Sequence, residues 1–216
     1  MSEKIYIPGI GPIGAKLFIL GEAPAYHETI EGKPFVGPSG KELNRLLSDS
    51  GINRSNCWLS NVCKYEVPSN LQGQKISFAI RAKNSGINIE EQLQELQQEI
   101  TAIKPNCILA LGGTALWALS GKTKISSFRG SIMHGMGVKF IPTYHPAHLL
   151  HTTTGGEIKG YWNRQVMIFD FKRAHAQSQF PERNLPSRFI QICKNSAQLA
   201  EFRAKYKDKI RLSVDI

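Results

Sequence analysis

Short apolar runs that end in turn residues recur at four places along the chain. Each run is four or five residues long, a length typical of strands buried in a parallel sheet. The runs are Lys16–Leu20 before Gly21, Cys57–Ser60 before Asn61, Cys107–Leu111 before the glycines at 112 and 113, and Val138–Ile141 before Pro142. The pattern therefore predicts four buried strands, each followed by a turn.

Apolar residues at helical spacing lie between these runs. Leu43, Leu46 and Leu47 share one face of a helix predicted to begin near Ser39. Two further helices are predicted from Ile89, Leu93, Leu96, Ile100 and Ile103, and from Ala115, Leu116 and Leu119. Because strands that alternate with helices form parallel sheets covered on both faces, the sequence predicts an α/β fold.

A polar stretch, residues 70–88, interrupts this alternation. It contains Lys75, Arg81, Lys83 and two glycines, and has the composition of an inserted loop. Two interpretations remain open: a solvated surface excursion, which we favour, and an arm that contacts a binding partner.

The C-terminal part changes in composition. Residues 1–176 form the predicted main domain, and residues 177–187 are rich in Pro, Ser and charge, as linkers are. Residues 188–216 predict the start of a second α/β unit with a strand at 189–192, a helix at 196–206 and a strand at 210–216. Since the sequence stops within that apolar run, we expect the chain to be a fragment of a longer protein.

The charge balance narrows the choice of partners. The 216 residues include 27 Lys and Arg against 17 Asp and Glu, which gives a formal charge of +10 and a pI near 9.5. Such an excess favours a polyanionic partner, because each cation placed on a phosphate releases condensed counterions. No segment predicts a membrane span or a secretory signal. The four scattered cysteines include no CxxC pair, which predicts buried thiols in a cytoplasmic protein.

Polar residues follow the predicted strands at one edge of the sheet. Glu22 follows the first strand, Asn61 the second and His145 the fourth, and Phe35 lies in a glycine- and proline-containing turn. Ligands bind in open α/β sheets at the carboxyl ends of the strands. A carboxamide, an imidazole, a carboxylate and an aromatic ring suit a planar amide heterocycle, with no metal or redox cofactor needed.

Three motifs, in order, carry a resemblance to a known family. The string GEAPAYHETIEGKPFVG resembles the first motif of the family-4-type uracil-DNA glycosylases, LSNVCKY resembles the second and TYHPAHLL the third. ALGGTALWALSG and SSFRG also stand where that family has its third-strand turn and a basic loop. The resemblance extends over about residues 14–176.

The resemblance implies a fold and a set of roles. The fold would be a three-layer α/β/α sandwich around a four-stranded parallel sheet, and the substrate would be DNA that contains uracil. Glu22 and Glu28 would activate water, and His145 would assist the departing base. The uracil-binding residues would be Ala23, Phe35 and Asn61. We also predict DNA contacts, through phosphate or as an apolar wedge, for Lys64, Arg129, His148 and Leu149.

The sequence departs from the family in two informative places. Many family-4 enzymes hold an iron–sulfur cluster through cysteines, but no cysteine precedes Cys57, and Tyr65 stands where a ligand would be expected. We therefore expect no cluster. Ala25 replaces the usual glycine of the first motif. In one related branch of the superfamily, a histidine in a basic loop links covalently to the abasic sugar. No such loop follows Asn61 here, so we expect turnover rather than covalent capture of the sugar.

Other interpretations concern the C-terminal residues and the function of the whole protein. Residues 188–216 resemble the opening of a 3′–5′ exonuclease fold, in which Asp215 would bind a metal, and a phage-type polymerase could follow in the same polypeptide. The main rival function is a glycosylase-like module that binds DNA without cutting it and tethers a polymerase. A hydrolase of free nucleosides is disfavoured by the charge. Strand preference, action on other deaminated bases and oligomeric state are left open.

Overall fold

The computed structural model describes residues 4–69, 76–150, 157–182 and 195–206. The chain divides into two compact units, Met1–Arg183 and Asn184–Ile216, and each is described by itself.

A five-stranded sheet forms the centre of the first unit. Its strands are β1 (Leu17–Gly21), β2 (Cys57–Asn61), β3 (Cys107–Leu111), β4 (Met133–Gly135) and β5 (Val138–Thr143). Their order is β2-β1-β3-β5-β4; β2, β1, β3 and β5 run parallel, and β4 pairs antiparallel with β5. The four predicted strands are confirmed. The fifth was missed because its three residues are only partly buried or exposed and form no apolar run.

Helices connect the strands. They are α1 (Tyr26–Glu31), α2 (Pro38–Asp49), α3 (Phe78–Asn84), α4 (Ile89–Ile103), α5 (Gly112–Ser120), α6 (Ile125–Phe128), α7 (Ala147–Leu150) and α8 (Glu157–Ser178). A short 3₁₀ turn at Arg54–Asn56 precedes β2. None of the helices in the described ranges is both long and apolar enough to cross a membrane.

Two hydrophobic layers cover the two faces of the sheet. Alternate residues of β1 point to opposite sides, so Phe18 and Leu20 join one layer and Leu17 and Ile19 join the other. Helices α4 and α5 contribute to the first layer, and α2 and α8 contribute to the second. The result is the three-layer α/β/α architecture predicted from the sequence.

The inserted stretch is not a solvated excursion where it is described. Residues 78–84 form α3, whose Phe78 and Ala82 are 7% and 0% exposed and belong to the hydrophobic layer of α4 and α5. The favoured interpretation was wrong for this segment because only two of its apolar residues face the core, too few for a periodic signal. Residues 70–75 lie outside the described part.

The C-terminal predictions are only partly covered. Helix α8 continues to Ser178, so residues 177 and 178 of the predicted linker are helical. In the second unit, α9 (Ser196–Lys205) confirms the predicted helix. The predicted strands at 189–192 and 210–216, together with Asp215, lie outside the described residues.

Candidate active site

Asn61 and Phe35 approach the last residue of β1 so closely that only glycine fits there. A Cβ added to Gly21 would lie 2.3 Å from Asn61 Oδ1 and 2.6 Å from Phe35 Cζ. Gly21 pairs with Asn61 in the β1–β2 register, and Asn61 is 5% exposed. The carboxamide and the edge of the ring therefore meet at the carboxyl end of β1, as the strand ends predicted.

Phe35 adopts a left-handed backbone with a φ of 58°, which is rare for an aromatic residue. The guanidinium of Arg54 donates to Phe35 O at 3.2 Å and to Pro34 O at 3.3 Å. Such a conformation persists only where the surroundings fix it, and it often marks a functional position. The backbone contacts hold the ring, which is 6% exposed, at the end of β1.

His145 lies beside the first residue after β3. A Cβ on Gly112, whose φ is 89°, would come 3.2 Å from His145 Cβ. The Nδ1 atom of His145 accepts the amide N–H of Ala147 at 3.2 Å, so the proton of the neutral ring resides on Nε2. Burial lowers the pKa of His145, and the charges of Glu22 and Glu28 oppose this only in part. The residue is therefore a neutral imidazole with Nε2–H as a donor.

Glu22 is held through both carboxylate oxygens. Arg81 Nη2 donates to its Oε1 at 2.7 Å, and the hydroxyl of Thr114 donates to its Oε2. The Glu22 side chain remains 35% exposed, so a substrate or a water molecule can reach it.

Glu28 has a different environment from Glu22. It is 7% exposed and accepts the backbone N–H groups of Ala25, Val36 and Gly37 at 3.1–3.2 Å. Three amide donors occupy much of its accepting capacity. The carboxylate thus connects the start of α1 to the turn that carries Phe35, while Ala23 packs partly buried against the hydrophobic layer of α4 and α5.

Lys64 lies in the interior, and its predicted phosphate contact is wrong for this structure. The side chain is 2% exposed. Its Nζ donates to Glu99 Oε2 at 2.6 Å and to Asn61 O at 3.0 Å. Glu99 also accepts the indole N–H of Trp58 at 2.7 Å, so the ammonium is part of a buried polar network. The motif indicated where Lys64 lies in the chain, but it did not indicate that the side chain points into the interior.

The remaining predicted DNA contacts lie at the surface to different degrees. Arg129 binds Asp170 through Nη2 at 2.7 Å and Nε at 3.1 Å, and remains 26% exposed. His148 is exposed and stacks on Tyr144 at 5.1 Å between ring centroids. Leu149 packs against the hydrophobic layer of α2 and α8 rather than projecting outward. Its neighbour Leu150 is 39% exposed, which makes it the better candidate for an apolar wedge.

Sequence reasoning missed three residues near the predicted site. Arg81 and Thr114 bind Glu22 from α3 and α5, and Leu150 projects from α7. Arg81 is 59 residues from Glu22 in the chain, and no local pattern links the two. Leu149 and Leu150 are adjacent, and the sequence gave no basis for choosing between them as the apolar wedge.

The described cysteines are buried thiols. Burial raises the pKa of Cys57 to about 11 and that of Cys107 to about 12, and it also raises the pKa of Cys63. Both Cys57 and Cys107 are in register with Leu17, which lies between them on β1. No cluster of three or more His, Cys, Asp or Glu residues suited to a metal ion occurs within the described ranges.

Comparison with known proteins relates this arrangement to a family. Residues 8–172 match the family model described as the uracil DNA glycosylase superfamily. A type-4 uracil-DNA glycosylase of Archaeoglobus fulgidus is 32% identical over 159 residues, which span 69% of this chain and 74% of the relative. The type-4 enzyme of Thermotoga maritima is 32% identical over 180 residues, spanning 81% and 83%. A DNA polymerase of Bacillus phage SP01 is 28% identical over 143 residues, spanning 66% of this chain and 14% of the polymerase.

Proposed function

Because the chain belongs to the uracil DNA glycosylase superfamily, we propose that it is a monofunctional DNA glycosylase that hydrolyses the N-glycosidic bond of deoxyuridine in DNA. The observation that carries this proposal is that Asn61 and Phe35 approach Gly21 at the end of β1, while His145 lies against Gly112, the first residue after the neighbouring strand β3. A carboxamide, an aromatic edge and a neutral imidazole donor are the groups that a flipped-out uracil requires.

Asn61 provides the selection of the base in this proposal. Its carboxamide offers one donor and one acceptor, which match O4 and N3–H of uracil. Cytosine presents the opposite pattern on that edge and would leave buried polar groups unpaired, a large penalty beside Asn61, which is 5% exposed. In this proposal the Phe35 ring bounds the pocket and stacks on the plane of the base.

His145 and Glu22 divide the chemistry. As the bond between C1′ and N1 breaks, negative charge develops on the uracil ring, and the Nε2–H of His145 stabilises it at O2. The sugar acquires oxocarbenium character, which the Glu22 carboxylate stabilises while it orients the water that adds to C1′. The water proton leaves to solvent or to the departing base, so the products are free uracil and an abasic site.

Glu28 serves this site chiefly through position in our proposal. Its three amide acceptor bonds fix the turn that presents Phe35, and its negative charge contributes to the field at His145. We therefore assign the water-directing role to Glu22 and a supporting role to Glu28.

An iron–sulfur cluster does not fit the described residues. Cluster ligation requires thiolates that converge, whereas Cys57 and Cys107 lie on either side of β1 and their raised pKa values favour the protonated thiol. Near the position of the expected ligand, the rings of Tyr65 and Tyr6 make an edge contact at 5.6 Å, and the Tyr6 hydroxyl donates to Glu95. We propose that this aromatic contact stabilises the region without a cluster.

A second candidate function is favoured by one observation. The similarity to a phage DNA polymerase supports a role in which this unit binds DNA beside a replication enzyme, with or without cleavage. The excess of basic residues suits either function, since both require contact with phosphates.

The decisive experiment uses an end-labelled oligonucleotide with a single uracil, followed by alkali to cut abasic sites. Wild-type protein should give cleavage at the uracil and none at cytosine. Asn61→Ala should lower kcat/KM by about 100-fold or more, because it removes the groups that read the base. Salt-sensitive DNA binding with no cleavage by the wild type would instead favour the tethering function.

A further inference from the structure

We propose that Arg81, on the helix of the inserted stretch, is a positioning residue for the glycosylase reaction that fixes the Glu22 carboxylate in its working orientation. This inference rests on the proposed function of Glu22. It also assigns a role to the inserted stretch, whose chemistry the three motifs do not include.

The geometry of the pair is specific. Arg81 Nη2 donates to Glu22 Oε1 at 2.7 Å, while Arg81 Nη1 donates to Pro68 O at 2.7 Å. The Arg81 side chain is 14% exposed, against 35% for Glu22. One guanidinium thus joins the predicted catalytic carboxylate to the backbone of the segment that follows Asn61 and its strand.

Helix α3, which carries Arg81, is anchored in the hydrophobic core. Phe78 and Ala82 on the same helix are buried in the hydrophobic layer, and the guanidinium carbon lies 5.5 Å from the centre of the Phe78 ring. A long side chain loses considerable rotamer entropy when it is held in one place. The buried anchor and the two hydrogen bonds offset that cost and define where the charge lies.

Within the described residues, the burial of Arg81 is not fully compensated. Its Nε is buried and has no hydrogen-bond partner among them, and a buried donor left in that state costs about 1–3 kcal/mol. An arginine serving only to close a surface loop has no reason to bear that cost, since exposed ion pairs contribute about 0–1 kcal/mol. A cation retained in a partly desolvated place beside a reactive carboxylate is instead a mark of a functional site.

The consequence for Glu22 is orientational. With Arg81 on one oxygen and the Thr114 hydroxyl on the other, the carboxylate plane cannot rotate freely. The remaining lone pairs then keep a fixed direction for the water and the developing positive charge on the sugar. A misplacement of about 1 Å in such a group can cost about 100-fold in rate.

The test compares Arg81→Met and Arg81→Lys with a matched control, Lys83→Ala, which removes one positive charge from an exposed position of the same helix. Single-turnover and steady-state kinetics on the uracil oligonucleotide should show kcat lowered by roughly 10- to 100-fold in Arg81→Met with KM within about twofold. Arg81→Lys should recover part of the rate, and Lys83→Ala should match the wild type.

A second arm separates positioning from folding. If Arg81 acts through Glu22, Arg81→Met should cause little further loss in a Glu22→Gln background, because coupled residues are not additive. An equal loss of rate in both backgrounds, or wild-type kcat in Arg81→Met, would overturn the proposal. Thermal unfolding of each variant shows whether the folded fraction has changed.

A structural readout keeps this inference distinct from the proposed function. Crystal structures of the wild type and Arg81→Met should show the Glu22 carboxylate displaced or in several orientations in the variant. An unchanged Glu22 would contradict the positioning role whatever the activity. If the wild type releases no uracil, the proposed function fails, and the crystal structures still decide whether Arg81 orients Glu22.

Discussion

His145 lies directly against Gly112: an added Cβ would be 3.2 Å from His145 Cβ, a contact so short that the imidazole would have to shift by a few tenths of an ångström. The φ of Gly112, 89°, is itself in the region that favours glycine. The position of the imidazole therefore depends on the absence of a side chain one strand away.

The first prediction follows from that contact. Gly112→Ala should displace His145 and lower kcat on uracil DNA by roughly 10- to 100-fold, with a loss of about 1–2 kcal/mol in the free energy of unfolding from the positive φ. Gly113→Ala is the matched control, because among the described residues its added Cβ meets only Thr123 O, at 3.7 Å. Equal rates for the two variants would contradict the contact.

The second prediction concerns pH and stability. The pKa of His145 is lowered in the folded protein, mainly by burial, whereas in the unfolded chain it is about 6.5. The unfolded state therefore binds more protons, and the free energy of unfolding should fall as the pH drops below about 6.5 towards the folded pKa. The loss ceases below that folded value.

Urea unfolding of the wild type and His145→Gln at a series of pH values measures this effect. Because glutamine does not titrate, the difference between the two proteins should change with pH only below about 6.5. A difference that is constant from pH 8 to pH 5 would show that His145 titrates normally in the folded state.

The third prediction distinguishes a buried lysine from a DNA-binding one. Lys64→Met should lower the free energy of unfolding by about 3–5 kcal/mol, because it leaves Glu99 without its cationic partner in the buried network. The double variant Lys64→Met, Glu99→Gln should regain part of that loss. The slope of log affinity for DNA against log salt should equal that of the wild type, whereas loss of a phosphate contact would reduce it by about one.

The fourth prediction assigns different roles to adjacent leucines. Leu150→Ala should reduce activity on duplex uracil DNA more than on single strands, because an exposed wedge assists extrusion of a paired base. Leu149→Ala should instead lower stability by about 1–3 kcal/mol, since Leu149 packs on the core. Rates on matched single-stranded and duplex oligonucleotides check the first expectation, and urea unfolding checks the second.

The strand ends were predictable from the sequence because apolar runs and turn residues are local signals. They correctly placed Asn61 beside the end of β1 and His145 beside the residue that follows β3. The direction of a side chain is not a local signal, and Lys64 and Leu149 illustrate this. Each lies in a motif, yet a neighbouring carboxylate in one case and an open hydrophobic layer in the other draw the side chain inward.

Contacts between segments distant in the chain could not be predicted from the sequence either. The Arg81–Glu22 ion pair depends on α3 folding back onto the sheet, and only Phe78 and Ala82 anchor that helix to the core. The left-handed backbone of Phe35 was equally hidden, because the residue type argues against it and the compensating bonds come from Arg54, nineteen residues away.

The backbone of Phe35 has a thermodynamic consequence for the whole protein. A left-handed backbone at an aromatic residue lowers the free energy of unfolding by about 1–3 kcal/mol, and so lowers the melting temperature. In return, the ring is already ordered when a base arrives, and little conformational freedom remains to be lost on binding. Phe35→Gly would relax the backbone, but it would also remove a ring that is 6% exposed, at a cost of about 3–5 kcal/mol that exceeds the strain relieved. The strained backbone is therefore tolerated because burial of the same residue offsets it, and the variant should lose both heat resistance and capture of substrate.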